Sequence, residues 1–232
     1  MLTPQETQAA HAFWKWFEEN RLPFEFFLNM DDEQRAELLE KSQAPLEAYS
    51  EGLQLQPGGN ISAIEGAPKH RLVITTGGEI RYFAKAKALA ALAPELPDWA
   101  VYGLLPPMSQ KVEVRFQLPI GVLYPGDVWI HLLENPNDPS FLGLHLALKL
   151  YDHCPDEDAR QQLQSMLIQL VAYVLGEESW AMNIQHLQLG PLPPDPMEEG
   201  MIVLYDLPEA VADFRKEQPG PNWEKQVMGE DE

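Results

Sequence analysis

One cysteine, few basic side chains and no long apolar run mark this 232-residue sequence. Each scarcity excludes something. Cys154 alone cannot close an intramolecular disulfide, and no CxxC or Cys/His spacing of the zinc type occurs, which points to a reducing, cytoplasmic compartment. No stretch approaches the roughly 18 apolar residues of a membrane-spanning helix, and the opening Met1 to Glu6 has neither the basic region nor the apolar run of a leader. Lys and Arg total 16 against 36 Asp and Glu, a formal net charge of −20. Such a surface repels phosphate backbones and anionic lipid, so nucleic acid and membrane are poor partners, whereas a basic protein suits the sign. No Walker lysine and no GxGxxG pattern occurs, and no cofactor is expected.

What is present is enough apolar material for a core: 45% hydrophobic residues and 9% aromatics belong to a folded chain. The expected architecture is α+β, a mixed and largely antiparallel sheet with helices packed on it. A single domain over 1–217 is expected, with 218–232 as a disordered acidic tail.

Thr3-Pro4-Gln5-Glu6 is a capping box with proline at the first helical position. It predicts a helix that turns Ala9, Ala10, Phe13, Trp14 and Phe17 inward. Asp31 is an N-cap signal for a second helix carrying Leu38, Leu39, Leu46 and Tyr49. Leu53 to Gln56 alternates, Pro57 to Asn60 reads as a turn, and Arg71 to Thr75 is a β-branched strand. Ile80, Phe83, Ala84, Leu89 and Leu92 then suggest a helix stopped by Pro94, followed by the apolar run Trp99 to Leu105, which reads as a central strand. Val112, Val114 and Phe116 predict a half-buried strand.

Asp127 to Leu133 and Phe141 to Leu150 flank the turn-forming Asn135-Pro136-Asn137-Asp138-Pro139-Ser140 and predict an antiparallel pair. After Pro155 an acidic first turn and the stripe Leu163, Leu167, Leu170 and Val174 predict a long helix. Trp180 to Leu189 is compatible with a short helix or a strand. A last helix is expected over about Pro208 to Lys216. The order strand, strand, helix, strand occurs over 53–105 and again over 127–189, an internal echo of two ββαβ halves that would share one sheet.

Four constellations carry chemical interest. With the hairpin turning near Asp138, His131 lies opposite His145, and Trp129 joins their face. Two imidazoles on neighbouring strands offer a partial metal site or an acid–base pair, yet a third ligand is not placed, and structural packing is the better reading. His153 and Cys154 sit at a helix start where the dipole would activate a thiol, but adjacent acids oppose that and capping is favoured. Thr75-Thr76-Gly77-Gly78-Glu79 resembles an anion-binding loop only superficially, and a tight turn explains its glycines. Trp16 is the one ring of the aromatic N-terminal group lying off the buried stripe, which makes it the candidate contact for a partner.

Ala12-Phe13-Trp14-Lys15-Trp16-Phe17-Glu18-Glu19-Asn20, Leu72-Val73-Ile74-Thr75-Thr76-Gly77-Gly78 and Ala93-Pro94-Glu95-Leu96-Pro97-Asp98-Trp99 together resemble an uncharacterised bacterial family, and Leu175-Gly176-Glu177 and Asp206-Leu207-Pro208-Glu209 fit it too. The resemblance implies an acidic, cytosolic α+β protein, with no activity and no catalytic residues to carry over. The leading expectation is therefore a non-catalytic interaction module, of adaptor or immunity type, that binds a basic protein. The alternative is a small metal-dependent or histidine-based hydrolase using His131, His145 or His153. Self-association into a homodimer through strand edges or the aromatic helix is a third.

Overall fold

The computed structural model describes residues 2–59, 67–108, 115–134 and 138–217. The chain divides into two compact units, 1–105 and 106–232. The described residues form an α+β fold of six α-helices and three sheets. Most of Val112 to Phe116 and all of 218–232, for which a strand and a disordered tail were expected, lie outside the described residues.

The first unit opens with α1 (Pro4–Glu25). Its capping box is complete: the Glu6 N–H donates to Thr3 Oγ1 at 3.2 Å and the Thr3 N–H donates to the Glu6 carboxylate at 2.6 Å. Ala10, Phe13, Trp14 and Phe17 recur at helical spacing and are all buried. The turn-forming Asp31 caps α2 (Asp32–Glu47), its carboxylate accepting from the Gln34 N–H at 2.9 Å. Beyond it lie β1 (Gln54–Gly59), β2 (His70–Thr75), α3 (Phe83–Ala91) and β3 (Trp99–Gly103).

The sheet order is β1-β2-β3, with β1 antiparallel and β3 parallel to β2. Two expectations change here. Pro57-Gly58-Gly59 does not turn but continues β1, because an edge strand tolerates a proline that has no N–H to give. The apolar run expected to be central forms β3, an edge strand in this order. Its hydrophobicity serves packing across the sheet instead: Trp99 meets Phe17 edge-on at 5.5 Å. The Trp14 indole N–H donates to the Leu89 carbonyl at 2.9 Å and ties α1 to the end of α3.

The second unit contains the small hairpin β4 (Phe116–Leu118) and β5 (Gly121–Leu123), then β6 (Trp129–Glu134) and β7 (Leu142–Leu148) in the expected antiparallel pair. Helix α4 (Glu157–Leu175) is capped by Asp156 and stopped by Gly176, whose φ of 78° suits glycine. Helix α5 (Glu177–Asn183), β8 (Ile184–Pro191), β9 (Ile202–Val203) and α6 (Leu207–Glu217) complete the unit. Its sheet runs β8-β7-β6-β9 with β8 parallel to β7. One face, with Ile130, Leu144 and Leu146, packs into a core with Leu163, Leu167, Leu170 and Val174 of α4.

Both units thus hold a ββαβ arrangement: an antiparallel pair, a helical crossover, and a third strand parallel to the second. They do not share a sheet, because each set of strands is hydrogen-bonded only within itself among the described residues. The ridge of buried apolar side chains on each crossover helix is satisfied by its own sheet, which removes the need for a joint one.

Candidate functional site

The sheet face of the second unit that turns away from α4 carries the histidines. Register places His131 directly opposite His145, and Trp129 opposite Ala147 on the same face. The parallel pairing adds a residue that the sequence reading missed: His186 lies opposite Gly143 and Gln188 opposite His145. The signal was there in the alternation of His186, Gln188 and Gly190 with Leu187 and Leu189, once β8 is recognised as a strand.

Opposed backbone positions do not make a working pair here. A Cβ built on Gly190 would stand 2.6 Å from His145 Nε2, so the His145 ring leans toward β8 and fills the space of the missing Gly190 side chain. His186 does the same over Gly143, where a Cβ would stand 2.2 Å from its Nε2. Each ring covers a glycine of the neighbouring strand, which restores packing where the sheet lacks side chains. His131 is exposed. Among the described residues no group of three His, Cys, Asp or Glu side chains is placed to hold a metal ion.

His153 is exposed at the end of a short 3₁₀ turn, and Cys154 next to it is buried. The Cys154 thiol donates to the Leu150 carbonyl at 3.6 Å. Burial pushes this thiol above its ordinary pKa; Arg160 opposes the rise and Asp156 adds to it. A raised pKa leaves little thiolate, the form that acts as a nucleophile. In the glycine turn, Gly77 and Gly78 take φ of 65° and 87°, the Gly77 N–H donates to Thr75 Oγ1 at 3.2 Å, and Glu79 is held by Arg81 at 2.7 Å. That is the geometry of a tight turn.

Among the grooves of the described residues, one in each unit includes a candidate tryptophan. Between α1 and α2 a groove of about 380 Å³ is lined by Trp16, Asn20, Pro23, Met30, Gln34, Glu37, Leu38 and Lys41. Trp16 is half-buried, meeting Phe24 edge-on at 6.3 Å and Phe13 at 6.3 Å. Residues 16, 20 and 23 share one flank of α1, beside the stripe of Phe13 and Phe17 that faces the core. Lys41 is paired with Glu37 at 2.7 Å, which neutralises the one ammonium in the lining. The two helices also carry the exposed Glu18, Glu19, Glu33 and Glu40 and the exposed Lys15, while Asp32 is paired with Arg35 at 3.3 Å.

The other groove, about 700 Å³, lies at the carboxyl ends of β7 and β8. Val122, Leu123, Trp129, Leu148, Leu150 and Leu192 line it with Pro193, Pro194 and Pro196, and its charged members are Asp127, Lys149 and Asp152. Trp129 therefore belongs to this groove as well as to the histidine face. Among the described residues no helix is long and apolar enough to cross a membrane.

Compared with known proteins, the chain matches no family model, no curated protein and no solved structure.

Proposed function

We propose that this chain is a non-catalytic interaction protein that binds a basic protein partner through the groove between α1 and α2. The observation that carries the reading is Trp16: a large, half-buried ring at helical spacing just off the core stripe, lining a groove with Leu38 and Met30. Aromatic anchors in pockets with a polar rim supply most of the energy at protein interfaces. Glu37 of the lining is paired with Lys41, and the sign of the partner follows from the chain as a whole: at −20 its complement is a basic surface with an apolar anchor. Its place is the reducing cytoplasm, as an adaptor or immunity-type protein of the bacterial family that its motifs resemble.

The test uses two synthetic peptides of the same leucine spacing, one built on lysine and one on glutamate, titrated into the full chain with the Trp16 indole N–H resonance as readout. The lysine peptide is expected to bind, to shift that resonance, and to weaken with added salt. Binding of both peptides alike, or binding of the lysine peptide that leaves Trp16 unmoved, contradicts the assignment.

A further inference from the structure

We infer that the groove at the carboxyl ends of β7 and β8 is a binding site for a small organic cation, a protonated amine or diamine on an aliphatic body. Parallel strands of open sheets present ligands at their carboxyl ends, and this groove sits where Leu148 closes β7 and the chain leaves β8 through Leu192. Its volume of about 700 Å³ falls within the range of small-ligand sites. The wall made by Pro193, Pro194 and Pro196 is stiff because proline fixes φ, so little order is lost when a ligand settles against it.

The sign of the ligand follows from the charges. Asp127 and Asp152 are exposed carboxylates of the lining, and neither is engaged by a side-chain partner among the described residues. Lys149 is the one opposing charge of the lining. Trp129 adds an indole to the lining, a ring type that attracts desolvated cations, and Val122, Leu150 and Leu192, which keep exposed apolar surface, offer cover to the aliphatic body. An anion would meet two carboxylates, and a neutral alkyl chain would gain nothing from them. The site belongs to the second unit and stands whether or not the Trp16 groove binds a protein.

Hexane-1,6-diamine titrated into the full chain tests it, with hexan-1-ol and hexanoate as probes of equal length and the Trp129 indole N–H resonance as readout. The diamine is expected to give a saturable shift, hexanol a weaker one and hexanoate none. Replacing Asp127 and Asp152 together by asparagine is expected to weaken the diamine about tenfold, and Lys149→Met to tighten it several-fold. A diamine that binds no better than hexanol overturns the inference, as does an unchanged affinity in the double variant. So does an N-acetyl-Leu-Lys-Leu-amide peptide that binds where the diamine does not, since the occupant would then be a protein segment.

Discussion

At Gly103 of the first unit an added atom would meet backbone. A Cβ there would stand 2.6 Å from Lys87 Cα, 2.7 Å from the Ala86 carbonyl oxygen and 2.9 Å from its carbon, all of them backbone atoms of α3. No rotamer change can relieve a clash with a helix backbone. To restore the 3.5–4.0 Å spacing of carbon atoms in contact, α3 must retreat by roughly 1 Å along its length over the sheet. Phe83, Ala86 and Leu89, the buried face of α3, would move with it and loosen their packing. Gly103 has no positive φ, so the cost is steric and carries no backbone strain. Overpacking of this kind costs about 1–3 kcal/mol, and a backbone obstacle places Gly103→Ala at the upper end, near 3 kcal/mol. Gly77→Ala is the contrasting control: φ is 65° and nothing lies within 4 Å, so it should lose about 1–2 kcal/mol from strain alone. Urea titration followed on the Trp14 indole N–H reads both quantities at once, because that group donates to Leu89 in α3. A loss below about 1 kcal/mol for Gly103→Ala with the Trp14 resonance unmoved would refute the close packing of α3 on β3.

Three further outcomes follow from local chemistry. The Cys154 thiol, buried and raised above its ordinary pKa, should react with a disulfide reagent slowly in the native chain and quickly in urea; fast native labelling would contradict the placement. The Lys85 ammonium and the Thr3 cap lower the Glu6 carboxyl from 4.5 to about 2. Its contribution is therefore complete above pH 4.5 and is lost as the pH falls toward 2, so Glu6→Gln should flatten the decline of the urea midpoint in that window, and an identical decline would argue against the pair. Asp156→Ala removes the carboxylate that accepts from the Ala159 N–H at 2.9 Å, and should cost about 1 kcal/mol of stability by urea unfolding, with a loss near zero contradicting the cap.

Much of the fold was legible because its signals are local. The capping box at Thr3, the N-cap at Asp31, the acidic start after Pro155 and the stripe on α4 each lie within one or two helical turns, and the hairpin register that sets His131 against His145 follows from alternation about one turn. Strand order is a different matter. Whether β3 and β8 join one sheet depends on which faces their helices cover, which no local pattern encodes. β9 has two residues and β4 and β5 three each, too short for a period of two to register. The candidate sites divide the same way. Trp16 stands out by helical spacing alone, whereas the second groove joins Asp127, Lys149, Asp152 and Pro193, residues that only the fold of the second unit assembles. The histidine pair shows the limit of register: it places Cα atoms opposite each other, and the glycines of the next strand decide where the rings go.

The most direct test of the interaction reading is the affinity of the lysine–leucine peptide for Trp16→Ala beside the unaltered chain at one salt concentration. Trp16 is half-buried and lies outside the fully buried core, so the variant should stay folded, with its amide spectrum changed only near α1 and α2. A loss of about tenfold or more in affinity, about 1.4 kcal/mol, is expected for removal of an aromatic anchor. An unchanged affinity in the folded variant would mean that the peptide is held by diffuse charge alone and that the groove between α1 and α2 is not a binding site.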